Sequence, residues 1–270
     1  MSGFQDRFKR REKKYRIDEQ QYQVVRDYLA HTMRPDDHGS CEVLSLYYDT
    51  RLFQLIEHSI SKPTYKEKLR IRSYGVPGQD GCIFIEIKKK YRGIVYKRRV
   101  PASPRAAFAF MAGLPFDEAM QRYPIRPDAR PHQTNPRVNA QIVSELTYMR
   151  DHYEGLAPAM LIACFREPFV AQDGSDLRIT FDSDIRWRTD RLSLTAGSDG
   201  HALLPDGDRI MEVKTAAAIP LDFAQVLDDA GILPGSFSKY GTAYVDAVND
   251  GMLDLPTASI PQPAAFPQCG

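Results

Sequence analysis

The stretch Leu69-Arg70-Ile71-Arg72 alternates apolar and basic residues. Side chains alternate faces along a β-strand, so Arg70 and Arg72 share one face and Leu69 and Ile71 the other. The same period recurs along the chain. In Ile85-Glu86-Ile87-Lys88, Glu86 and Lys88 oppose the isoleucines. In Leu177 to Asp182, Arg178, Thr180 and Asp182 oppose three apolar residues. In Met211-Glu212-Val213-Lys214, Glu212 and Lys214 share a face, as do Glu12, Lys14 and Arg16 near the N-terminus. Eight segments read as strands: Arg11–Ile17, Val43–Asp49, Tyr65–Tyr74, Cys82–Lys90, Gly93–Val100, Leu161–Val170, Leu177–Asp182 and Arg209–Thr215. For any one of them, a sheet packed on one side and solvated on the other explains the alternation. Together they say more, because the polar faces carry mostly Arg, Lys and Glu. Strands closed into a barrel would bring those faces together inside, with helices covering the apolar outside. Such an interior repels itself unless an anion, with a divalent metal, neutralises it.

Helix punctuation separates the strands. Asp18 caps a helix from Glu19 to about Met33, with Gln21 at the capping-box position. Ser103-Pro104 opens a second helix that Gly113 ends. Further helices are expected over Asn139–Glu154, Leu221–Ala230 and Ser236–Val248. The four prolines between Tyr123 and Pro136 mark a loop. Residues 1–8 read as a flexible leader, 9–250 as one domain, and 251–270 as a proline-rich flexible tail.

The chain has 270 residues, 43% hydrophobic and 26% charged, which excludes a disordered chain, a collagen-like fibre and a coiled-coil rod. Its longest apolar run, Ala159 to Phe165, is too short for a membrane span. Met1 to Lys14 lacks the apolar core of a secretory signal. Cys41, Cys82, Cys164 and Cys269 show no metal spacing and read as reduced thiols, so a cytoplasmic protein is expected. The net charge is +1, but residues 62–99 hold 12 basic and 3 acidic side chains. That local excess suits a polyanionic ligand, although a solvated basic face would look the same by composition.

Several segments, in order, carry a resemblance. They are Glu12-Lys13-Lys14-Tyr15, Ser45-Leu46-Tyr47-Tyr48-Asp49-Thr50, Tyr65 to Gly75, Phe84 to Lys90, Val95-Tyr96-Lys97-Arg98-Arg99, Glu212-Val213-Lys214 and Phe237-Ser238-Lys239-Tyr240. The set resembles the catalytic domain of the vacuolar transporter chaperone (VTC) family of polyphosphate polymerases, within the CYTH-like triphosphate tunnel metalloenzymes. The resemblance spans roughly residues 8–248. It implies an α+β fold, an antiparallel eight-stranded β-barrel tunnel with flanking helices. It also implies transfer of the γ-phosphate of ATP to a growing inorganic polyphosphate chain with Mn²⁺ or Mg²⁺.

On that resemblance, Arg70, Arg72, Lys88, Arg166 and Lys239 are the expected catalytic cations. Lys14, Lys97, Arg99, Arg178, Lys214 and Ser238 join them in binding phosphate. Glu212 is the expected metal ligand; Glu86 and Glu12 are secondary, each somewhat better suited to balancing neighbouring cations. ATP and polyphosphate are the expected partners, with no nucleic acid, no membrane segment in this chain, and room for a separate membrane partner. Tunnel hydrolases often carry Glu-x-Glu-x-Lys near the N-terminus. Arg10-Arg11-Glu12-Lys13-Lys14 has arginine at the first glutamate, which favours a polymerase over the alternative, a triphosphatase. A polyphosphate- or RNA-binding module without turnover is the third reading. Trp187, Tyr47, Tyr48 and Tyr74 read as packing residues.

Overall fold

The computed structural model describes residues 11–92, 94–131, 135–216 and 218–253. The expected leader, 1–8, and the expected tail from residue 254 onward lie outside the described residues. The strands are β1 (Arg11–Ile17), β2 (Met33–Pro35), β3 (Cys41–Asp49), β4 (Tyr65–Tyr74), β5 (Ile83–Tyr91), β6 (Ile94–Ala102), β7 (Ala157–Ala171), β8 (Arg178–Arg188), β9 (His201–Ala202) and β10 (Arg209–Thr215). The helices are α1 (Glu19–Thr32), α2 (Gln54–Ile60), α3 (Pro104–Met111), α4 (Phe116–Arg122), α5 (Pro136–His152), α6 (Leu221–Asp229) and α7 (Lys239–Asn249).

Eight strands form one antiparallel path, β1-β10-β8-β7-β3-β4-β5-β6, with β2 paired to β7 and β9 to β8. Among the described residues no ladder joins β1 to β6, so the path is an open half-barrel. The free edge of β1 is bridged instead by Gly235, whose N–H donates to Lys14 O at 2.8 Å. The two arms are tied by the chain just before α7. Lys14 on β1 donates to Phe237 O, and Lys68 on β4 donates to Ser238 Oγ.

The convex face is covered as the alternation expects. Phe110, Leu146 and Met149 of α3 and α5 bury Leu69, Ile71, Ile85 and Ile87. Tyr22, Val25 and Leu29 of α1, with Phe223 and Leu227 of α6, bury Tyr15, Phe181, Met211 and Val213. The concave face also has an apolar part. There α7 and α2 lay Tyr240, Tyr244 and Ile56 on Met160, Ile162, Ile185 and Trp187. A bulge allows this. The β7–β8 register shifts between Ala163 and Phe165, and Asp184 takes a left-handed φ of 45°. A bulge adds one residue and reverses the facing parity beyond it. Thr180 and Asp182 therefore share the concave face with Ile185 and Trp187. Trp187, 1% exposed, is a packing residue as expected.

The Asp18 capping box forms, and Ser103 Oγ accepts from Ala106 N. Two helices start away from their expected residue. Asn135 caps α5 at Pro136, inside the stretch expected as loop, and Ser238 caps α7 at Lys239. Helix α2 was not expected from sequence. The residue before it, Phe53, has no capping side chain, and the cap comes from the end of β3. Asp49 accepts from Leu55 N at 2.9 Å, Ile56 N at 3.0 Å and Tyr240 Oη at 2.8 Å. Among the described residues no helix is long and apolar enough to cross a membrane.

Asp49 is 1% exposed and joins β3, α2 and α7. Asp49→Ala would leave those donors buried without an acceptor. Urea unfolding is expected to show a loss of about 3 kcal/mol, and Tyr240→Phe about 1 kcal/mol. Unchanged midpoints in both variants would refute this linking role.

Candidate functional site

Strand register turns the alternation into rows across the concave face. Lys68, Lys88 and Lys97 lie side by side on β4, β5 and β6. The next row is Tyr47, Arg70, Glu86 and Arg99, and the one beyond begins Ser45, Arg72, Phe84. On the other arm Lys14, Glu212 and Thr180 form a row, followed by Glu12, Lys214 and Arg178. Arg166 on β7 is level with Asp182 on β8.

The carboxylates are each held by several cations. Glu86, 1% exposed, accepts from Arg70 Nε at 2.8 Å and Nη2 at 2.7 Å, and its other oxygen is 2.9 Å from Lys97 Nζ. Asp182 takes a two-pronged hydrogen bond from Arg166, both contacts 2.6 Å, and a further one from Lys239. Glu212 has Lys214 at 2.8 Å, Lys14 at 3.3 Å, and Arg166 and Lys239 at 3.9 Å. Glu12 stands 3.8 Å from both Lys14 and Lys214, the charge-balancing position.

Other cations make no ion pair with a carboxylate among the described residues. Arg72 donates to Ser45 Oγ at 3.2 and 3.1 Å, and Lys68 to Ser238 Oγ at 2.9 Å. Arg99 stands over the Phe84 ring at 4.3 Å. Lys88, between Lys68 and Lys97, has no carboxylate within ion-pair distance among the described residues. The first turn of α7, with its positive dipole end, enters beside this row through its cap Ser238, which accepts from Lys68.

These charges shift one another. Burial would raise the Glu86 carboxyl, but Arg70, Arg72 and Lys97 hold it down to about 2. Burial likewise opposes ionisation of Glu212 and Asp182, and the surrounding lysines and Arg166 overcome it, so both stay well below the usual carboxylate range. Burial brings Lys68 and Lys97 down to about 8, only partly offset by Tyr47 and Glu86 respectively. The Tyr47 phenol would rise on burial, yet Arg70, Lys68 and Arg72 bring it down to about 7. Its oxygen accepts from Arg70 Nη1 at 3.1 Å, and its ring stacks on Tyr240 at 4.3 Å.

The donor chemistry at Glu212 fits a hard divalent ion. Carboxylate oxygens are the preferred ligands, and Mg²⁺ uses one or two of them together with substrate phosphates. Among the described residues no three His, Cys, Asp or Glu side chains group at metal-binding spacing. An ion here would thus be completed by phosphate oxygens.

The structure brings Lys14, Arg70, Arg72, Lys88, Lys97, Arg99, Arg166, Lys214, Ser238, Lys239, Glu86 and Glu212 to one concave surface. Arg178 is set apart at its rim, half exposed and 3.7 Å from Asp36. Lys68, Asp182 and Tyr47 belong to the site but were not among the expected site residues. Strand parity places Lys68 with Arg70 and Arg72, and Asp182 with Thr180, so alternation could have found both. Tyr47 reads as packing in sequence and does pack, in the core under α7, while its hydroxyl also accepts from Arg70.

A model of the VTC domain matches residues 9–247. No curated protein matches the chain. Among solved structures, the PH1819 protein from Pyrococcus horikoshii OT3 aligns at 12% identity with a TM-score of 0.42, covering 89% of this chain and 98% of that one.

Tyr47 is the one tyrosine brought down to about 7 by its neighbours. A near-ultraviolet titration is expected to show one phenol ionising near that pH, well below the ordinary value of about 10. The step should vanish in Tyr47→Phe. A titration with no phenolate below pH of about 9 would contradict the electrostatics described here.

Proposed function

Since the chain belongs to the VTC domain family, the domain of polyphosphate polymerases, which it matches over residues 9–247, we propose that its concave surface transfers the γ-phosphate of ATP to the end of an inorganic polyphosphate chain. Membership supports a role in polyphosphate metabolism. The observation that carries the finer reading is the row Lys68-Lys88-Lys97, of which Lys97 alone pairs with a carboxylate among the described residues, beside Arg72 and facing a Glu212 that four cations keep ionised.

Phosphoryl transfer asks the protein for in-line positioning and for neutralisation of charge on phosphate oxygens. Arg70, Arg72 and Arg166 offer guanidinium forks, which bind phosphate in bidentate fashion; the lysines offer point charges. The attacking group is an oxygen of the chain-terminal phosphate, already anionic, so no general base is required. A bond forms from that oxygen to the γ-phosphorus, the bond from γ-phosphorus to the bridging oxygen breaks, and ADP leaves with the electron pair. Glu86 and Tyr47 hold Arg70 in place from two sides. Asp182 does the same for Arg166 and Lys239. Glu212 would hold the divalent ion, Mn²⁺ or Mg²⁺, which when bound supplies Lewis-acid neutralisation of phosphate charge.

Incubation with ATP and Mn²⁺ is expected to yield ADP and a ladder of lengthening polyphosphate on a gel. Arg70→Ala and Glu212→Ala should each lower the rate by about 100-fold or more with the fold retained. Free phosphate without longer chains would move the chain to the triphosphatase alternative. Full turnover in both variants would overturn the site.

Lys68 and Lys97 carry charge below about pH 8 and lose it above. Affinity for inorganic triphosphate is therefore expected to fall several-fold between about pH 7 and about pH 9, where an ordinary lysine stays charged. Lys68→Arg should flatten part of that fall in calorimetric titrations. A pH-independent affinity would remove these lysines from the phosphate path.

A further inference from the structure

We propose that an arginine cluster on the outside of the sheet, at the β4–β5 turn, is a second binding site for phosphate chains. The inference deepens the proposed function and takes the ligand's identity from it. Arg105 on α3, Arg122 at the end of α4, and Arg126 and Arg130 on the following segment line a hollow of about 390 Å³ with Tyr123 and Asp80. The segment is held in place before any ligand arrives. Ser103 Oγ donates to Tyr123 O at 2.6 Å, Arg126 N donates to Asp80 O at 2.8 Å, and Ile125 is buried beneath.

The charge of the cluster is weakly offset. Asp80 is 3.9 Å from Arg105, and Asp128 pairs with Arg126 at 2.7 Å, all four side chains at least half exposed. Exposed pairs of this kind contribute little and yield to a stronger anion. The aromatic ring indicates which anion. Arg105 and Arg122 both stand over Tyr123, at 4.4 and 5.5 Å, so the ring is already engaged by guanidiniums. Several guanidinium forks suit phosphate oxygens.

The position connects the cluster to the concave surface. The turn that carries Asp80 joins β4 just after Arg72 to β5 just before Phe84, the residue under Arg99. A phosphate chain leaving the concave surface at the Arg72 end and following this turn would come to the outer arginines beside Asp80. Two linked sites raise the effective concentration of a chain long enough to span them, and do nothing for a short one.

The test compares binding of inorganic triphosphate and of a polyphosphate about 50 phosphates long, by calorimetry on the full chain. In the triple variant Arg105→Gln, Arg126→Gln, Arg130→Gln, long-chain affinity is expected to fall about tenfold or more with triphosphate affinity unchanged. Arg126→Gln alone, which gives up only its exposed pair with Asp128, should show a smaller loss in the same direction. Equal losses for both ligands, or no loss for either, would overturn the outer site. In Arg70→Ala, Arg72→Ala, triphosphate binding should disappear while residual long-chain binding persists until the outer arginines are also replaced. Intact triphosphate binding there would sink the concave-site reading alone; the outer site stands or falls on the long-chain difference.

Discussion

The concave face of this sheet gathers more cations, most of them half-buried, than buried carboxylates, and that imbalance constrains everything around it. Like charges removed from water repel strongly, because the interior screens them poorly. The fold responds by interposing Glu86, Asp182 and Glu212, each gripped by at least two basic side chains. These pairs are costly to break one partner at a time, since the survivor is a buried charge without a counter-ion. They hold Arg70, Arg166 and Lys239 in defined directions. Among the described residues Lys88 and Arg72 make no ion pair with a carboxylate and feel Glu12, Glu212 and Glu86 only at longer range, so an incoming anion would add to their neutralisation.

Helix α7 divides the concave surface between packing and chemistry. Its body lies on the apolar half through Tyr240, Ala243 and Tyr244, while its first turn reaches the charged half through Ser238 and Lys239. Its cap Ser238 serves twice, accepting from Gly241 N and from Lys68 Nζ. The stack of Tyr240 on Tyr47, and the bond from Tyr47 to Arg70, couple the helix's position to that of a phosphate-binding fork. An anion bound among these cations would favour the folded state by mass action, offsetting the repulsion that the site itself introduces.

The sequence was most legible where one residue's neighbours along the chain sufficed. Period-two alternation marked the eight principal strands, and the faces bearing Arg70, Lys88, Lys97 and Glu212 are those that converge. The capping box at Asp18 and the Ser103-Pro104 start are local hydrogen-bond chemistry and came out as read. Lys68, inside a quoted motif segment, and Asp182, outside any, were visible to the same parity but were not assigned to the site. Asn135-Pro136, an ordinary cap signal, was hidden among loop prolines. The N-terminal anchor of α2 could not be read, because its acceptor is Asp49, in the strand before it.

The sequence by itself determined the strands, their charged and apolar sides, and the family, since these depend on residue type at short fixed spacing. The tertiary structure decided which carboxylate meets which cation, and which cations meet none. It decided that the bulge at Asp184 turns apolar residues onto the face that Asp182 shares. It also decided that Tyr47, a packing residue, is at the same time a partner of Arg70, and that the sheet path shows no β1–β6 ladder among the described residues. The physical reason is common to all four. Desolvation and Coulomb interactions depend on distances between residues up to two hundred positions apart, and those distances exist only once the sheet has curled.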